Sequence, residues 1–168
     1  VCHQLTQNLQ RLIASHDYLS VVAKSCELLC RVSVFSKHTE DLLVKLAGGI
    51  LDSLEDGPGA PTFLRRRLFV LGHLWRNGGA GTDASSGRGE VLRRTTAAII
   101  RLLVDRDEGG SPRRRHGVDE PVAIEALRAL GMVIHGDPKV ALTEEATEMY
   151  ELFLGRGSPA PLQVLSLI

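Results

Sequence analysis

"LFVLGHLWR", residues Leu68 to Arg76, decides the fold. Leu68, Leu71 and Trp75 recur at helical spacing with Val70 and Leu74 beside them, yet Gly72 stands among them. A glycine inside a helix costs about 1 kcal/mol relative to alanine. Further along, "LRALGMVIHGDP" (Leu127 to Pro138) places Gly131 in the same company. With Gly72 set on Gly131, Leu64, Leu68, Leu71 and Trp75 fall on Ala123, Leu127, Leu130 and Ile134. Val70 and Leu74 fall on Ala129 and Val133. Each quartet is one stripe of a helix, and the second pair widens the apolar surface. Gly72 and Gly131, next to Leu71 and Leu130, sit at the edge of that stripe. There a missing side chain lets a neighbouring helix approach, which offsets the intrinsic cost.

Outward from this core the chain alternates helices and breakers. A short amphipathic segment covers about Gln4 to Ala14. Asp17 is placed to cap a helix of about Tyr18 to Phe35, whose stripe is Val22, Cys26, Leu29 and Val32 or Ser33. Thr39 is placed to cap the next, with Leu42, Leu43, Leu46, Ile50, Leu51 and Leu54 at helical spacing. "EDGPGAP" (Glu55 to Pro61) ends it, and Pro61 suits the first turn of the following helix, to about Arg76. Helices are then predicted at about Glu90 to Val104, Glu120 to Ile134 and Val140 to Leu154, with "HGDPK" as the turn between the last two. The polar stretches 77–89 and 105–118 are expected to be mobile loops. A last helix begins at Pro159 and is expected to be truncated by the C-terminus.

No segment has a convincing strand pattern. The expected fold is all-α, a HEAT/armadillo-like α-solenoid of antiparallel helical hairpins. Residues 1–60 are expected to be preceding helices of the same type, and 61–168 the hairpins. Both ends look cut, as in an excerpt of a longer chain.

Composition narrows function. Of 168 residues 43% are hydrophobic but only 4% aromatic, which favours packed helices over an aromatic-rich sheet. Twenty basic residues balance twenty acidic ones, so electrostatic recognition must come from local clusters. No apolar run reaches the ~18 residues of a membrane span, so no membrane partner is expected. Cys2, Cys26 and Cys30 make no paired framework and read as reduced, buried thiols. The six histidines show no metal-ligand spacing, so no metal is expected. "GGAGTDASSGRG" lacks the Gly-Lys-Ser/Thr ending of a phosphate loop, and there is no Gly-x-Ser-x-Gly elbow. No catalytic residue and no cofactor is expected. Glu144, Glu145, Glu148 and Glu151 read as a solvated face with acids favoured at a helix start, or as a docking strip for a basic partner.

Arginine clusters are the remaining candidates. Arg65 and Arg66 lie on the polar side of the opening helix with Arg76 further along; Arg67 lies in the apolar flank, suited to an interhelical contact. Arg93 and Arg94 begin the next helix, and Arg113, Arg114 and Arg115 stand in the second loop. Guanidinium groups suit phosphate contacts, which need charge and donors but no base reading. Ordinary surface charge and internal ion pairs are the alternative use.

The segments "RRRLFVLGHLWR", "VLRRTTAAIIRLLV" and "PVAIEALRALGMVIHGDPKVALTEEATEMYELFL", with the closing "PAPLQVLSLI", resemble the C-terminal region of the Nipped-B-like family of sister-chromatid cohesion loaders, which are HEAT-repeat proteins. The similarity spans about Thr62 to Ile168. It rests on the order of an Arg-rich Leu-Gly helix, a variable loop, a second helix and a Leu-Gly hairpin, with a one-residue departure in its turn. The resemblance implies a non-enzymatic nuclear scaffold that contacts cohesin subunits and DNA without sequence preference. It also implies a partner subunit bound at an N-terminal region outside this sequence. The competing expectation is a HEAT/armadillo adaptor of another pathway, nuclear transport or trafficking, that binds proteins only.

Overall fold

In the computed structural model the described residues are 2–56, 59–78 and 86–154. The opening stripe forms α4 (Pro61–Gly78), in which Leu64, Leu68, Leu71, Leu74 and Trp75 are buried. Pro61 begins this helix, where its missing N–H costs nothing. Before it come α1 (Cys2–Ser15), α2 (Leu19–Ser33) and α3 (Lys37–Glu55). After it come α5 (Gly87–Leu103), a β-ribbon of β1 (Val104–Arg106) and β2 (Pro112–Arg114), and α6 (Glu120–Gly136). A 3-10 turn (Pro138–Leu142) leads into α7 (Glu144–Leu154). The protein is predominantly helical.

α2, α4 and α6 lie side by side, and α4 against α6 is the most extensive helix contact. The three run in the same direction. Arg66, near the start of α4, bonds the carbonyls of Ile13 and His16, just before α2. Near the other end, the Cys30 thiol of α2 donates to the Leu74 carbonyl of α4 at 3.3 Å. α6 keeps the same sense, with Gly72 facing Ala129 and Trp75 facing Gly136. α3 and α5 pack against each other behind this layer, and α5 reaches α4, α6 and α7.

One apolar cluster threads all of these contacts, with Leu29, Leu51, Leu71, Ile99, Leu130 and Phe153 buried in it. Each such side chain contributes about 1.5–3 kcal/mol by leaving water. Trp75 is fully buried, and its indole N–H donates to Thr95 Oγ1 at 3.1 Å, so its polar atom is not stranded.

The structure corrects several sequence expectations. Gly131 is not a close-approach position: among the described residues nothing lies within 4 Å of where its Cβ would stand. It points away from α4, on the half-exposed side of α6. The tight glycine of α6 is instead Gly136, whose Cβ would meet the Trp75 carbonyl carbon at 2.9 Å and Arg76 Cα at 3.1 Å. The N-cap of α2 is Tyr18 rather than Asp17, with the Tyr18 amide engaged by His16 Nδ1. The N-cap of α3 is Ser36, and Thr39 is buried inside the first turn.

The stretch 105–118 contains a strand pair instead of a plain loop. Asp107 Oδ1 accepts from the amides of Gly109 and Ser111, and Gly110 takes φ +81°, which glycine allows freely. That turn brings Val104 opposite Arg114. The helix expected from Val140 starts at Glu144, because Thr143 ends the 3-10 turn and accepts from the Ala146 amide. The loop expected at 77–89 is shortened by α4 reaching Gly78 and α5 starting at Gly87; residues 79–85 and the helix expected from Pro159 lie outside the described residues.

Candidate functional site

Helical spacing sorts the arginines of α4 into different jobs. Arg65, Phe69, His73 and Arg76 form one outward stripe, and Phe69 stacks on His73 with ring centroids 4.4 Å apart. Burial, then the charge of Arg76, holds the His73 imidazole below its ordinary range. A quarter-turn away, Arg66 is half-buried and donates to Ile13 O at 3.1 Å and His16 O at 2.8 Å. It therefore closes the C-terminal end of α1, where carbonyls lack helical partners. Arg67, on the third side, donates to Ser53 O of α3 at 2.8 Å.

The outward stripe of α4 is continued by its neighbours. A shallow hollow of about 450 Å³ between α2 and α4 is lined by Lys24, Glu27, His73 and Arg76. Glu27 binds both Lys24 and Arg31, each at 2.7 Å, and those contacts hold its carboxyl below the usual range. Toward α6, Arg65 and Arg128 act on Glu125, with Arg128 3.7 Å from the carboxylate. Glu125 is only 7% exposed, and burial pushes its carboxyl up despite both cations. The outer face of α2, α4 and α6 thus carries Lys24, Arg31, Arg65, Arg76 and Arg128 against Glu27 and the buried Glu125. Among the described residues, Arg65 and Arg76 form no ion pair within 4 Å.

The other predicted arginines lie elsewhere. Arg94 joins α5 to the end of α3, 2.9 Å from Asp52 and 2.6 Å from Glu55. Arg93 pairs with Glu90 on its own helix at 2.8 Å. The triplet in the ribbon is divided by strand alternation. Arg114 lies over the Phe153 ring at 5.6 Å, Arg113 stands opposite Asp105, and Arg115 donates to Arg101 O at 2.8 Å. Arg65 and Arg76 are therefore brought together on one face, whereas Arg93, Arg94 and the triplet are not part of it.

Three residues matter that sequence reasoning did not single out. Lys24 and Arg128 complete the basic face, and only the adjacency of α2, α4 and α6 reveals it. Arg88, at the start of α5, donates to the Gly78 carbonyl at the end of α4; its buried Nε has no partner among the described residues. Cys26 and Cys30 are buried thiols, each pushed up to about 12, first by desolvation. Among the described residues, no group of three His, Cys, Asp or Glu is placed to hold a metal ion, and no helix is long and apolar enough to cross a membrane.

A second concavity lies on other elements. It is a groove of about 920 Å³ between α5 and the 3-10 turn with the first half of α7. The Arg106–Glu148 ion pair, 2.8 Å, ties the ribbon to α7 at this groove.

No protein-family model matches the chain, and no curated protein and no solved structure matches it.

Proposed function

We propose that this chain is a segment of a HEAT-type α-solenoid that acts as a non-enzymatic scaffold of a cohesin loader of the Nipped-B-like family. In this reading α2, α4 and α6 are equivalent helices of successive hairpins, with α3, α5 and α7 as their second layer. The parallel run of α2, α4 and α6 supports that assignment. The Leu-Gly segments that carry the family resemblance fall on α4 and α6, the two most closely packed of the three.

The observation that carries the functional part is the outward stripe of Arg65 and Arg76, flanked by Lys24 and Arg128. Such a ridge suits the phosphates of a DNA duplex, to which it contributes charge and position without reading sequence. Cohesin subunits and chromatin are the proposed partners, in the nucleus.

The test uses the full-length protein and measures DNA affinity against salt. Each lost phosphate contact lowers the magnitude of the log–log salt slope by ~0.9. The charge reversal Arg65→Glu/Arg76→Glu is expected to flatten the slope by roughly two contacts and to weaken stimulation of the cohesin ATPase. Arg113→Glu, on the ribbon, is expected to leave both near wild type. A full-length protein that neither binds DNA nor stimulates cohesin overturns the reading and favours a protein-only adaptor.

A further inference from the structure

The groove beside α5 has a floor and two unlike rims. Leu92, Thr96 and Ile100 follow one another at four-residue steps along α5, and Val140 faces them from the 3-10 turn. Gly89 and Ala97 line the α5 side, so no bulky side chain fills the trough there. Its course from Gly89 to Val104 is about 22 Å at 1.5 Å per residue. The α5 rim is basic through Arg101, with Arg93 beside it paired to Glu90 of the same helix. The facing rim carries three carboxylates, Asp137, Glu145 and Glu148, against one lysine, Lys139. At the ribbon end Arg106 is paired with Glu148 at 2.8 Å, and Asp105 stands opposite Arg113.

We propose that this groove docks one amphipathic helix of a protein partner. Its apolar stripe lies on Leu92, Thr96, Ile100 and Val140, its acidic flank faces Arg101, and its basic flank faces Asp137 and Glu145. A helix satisfies its own backbone and can therefore lie on an apolar floor. The acidic rim disfavours a nucleic acid. The chain's own C-terminal residues 157–168, "GSPAPLQVLSLI", carry no charged side chain and so do not match the rims. This inference goes beyond the DNA-contacting face and does not depend on it, since the two surfaces lie on different layers.

A photo-crosslinking amino acid at residue 97 of the full-length protein, irradiated in cells, identifies the peptide that sits in the trough. That peptide is then synthesised as the probe for anisotropy titration. The expected result is a segment with an apolar helical stripe between an acidic and a basic flank. Arg101→Glu, an exposed change, is expected to weaken its binding about tenfold, and acid-to-lysine exchange on the peptide to restore it. Ala97→Arg is expected to abolish binding while the helical circular-dichroism signal is kept. Crosslinks only within the chain, to a second copy or to nucleic acid overturn the proposal, as does no crosslink at all. Binding that ignores Arg101→Glu overturns it equally, and the DNA salt slope is unaffected by any of these outcomes.

Discussion

Gly72 of α4 lies directly against Ala129 of α6: a Cβ on residue 72 would stand 3.0 Å from Ala129 Cα and 3.1 Å from Met132 Sδ. One turn on, Gly136 of α6 returns the contact against the backbone of Trp75. Two helices running the same way thus touch through one glycine from each, which brings their apolar stripes into register.

Glycine-to-alanine changes should therefore separate by position. Gly136→Ala must push against backbone and is expected to cost more than about 2 kcal/mol. Gly72→Ala is expected to cost less, because overpacking of about 1–3 kcal/mol is partly offset by ~1 kcal/mol of helix propensity. Gly131→Ala, with no described residue within 4 Å of the added Cβ, is expected to stabilise by up to about 1 kcal/mol. Urea denaturation midpoints measure all three.

The Glu125 carboxyl, raised by burial, predicts a pH-dependent substitution effect. A carboxyl whose folded pKa lies above its unfolded value favours folding at low pH. That contribution is lost as pH rises through the folded value. Glu125→Gln is expected to stabilise the protein at neutral pH, and the gain over wild type should vanish below the ordinary carboxylate range. Denaturation of both proteins across pH checks this; a difference constant with pH contradicts it.

Cys26 and Cys30 are expected to resist thiol reagents in the native protein at pH 8 and to react once it is unfolded, since the thiolate is the nucleophile. Both pKa values are raised, so their contribution to stability is full below the unfolded thiol value of 9.0. It is lost as pH climbs toward about 12. Timed labelling followed by mass spectrometry is the measurement.

Arg66 ties α1 to the rest of the fold through two carbonyls. Arg66→Ala is expected to cost about 1.5–3 kcal/mol, the range for hydrogen bonds to a charged group. Hydrogen exchange should rise first in α1, while α4 and α6 keep their protection.

Much of the helical framework is written in local pattern. Leu64, Leu68, Leu71 and Trp75 announce α4, and Ala123, Leu127 and Leu130 announce α6, because burial repeats at the helical period. The ribbon at Val104–Arg114 was hidden, since its strands are three residues each and its turn depends on Asp107 accepting from two amides. Gly131 misled because a repeated sequence position need not be a repeated contact: among the described residues of the α2–α4–α6 layer, α6 has a helix beside it on one side where α4 has one on each. The arginines divide for the same reason. Arg65, Arg66 and Arg67 are consecutive, yet they point to solvent, to α1 and to α3, and only the placement of neighbouring helices decides which stays available.

α4 and α6 stack in parallel through Gly72 and Ala129. Cysteines placed at both positions bring Cβ atoms about 3.3 Å apart, close to disulfide geometry. Mild oxidation of the Gly72→Cys/Ala129→Cys protein, followed by peptide mapping, tests this stacking directly. A rapid 72–129 crosslink is expected, with none in a Gly72→Cys/Gly131→Cys control. A crosslink in the control, or none at 72–129 in folded protein, would contradict it.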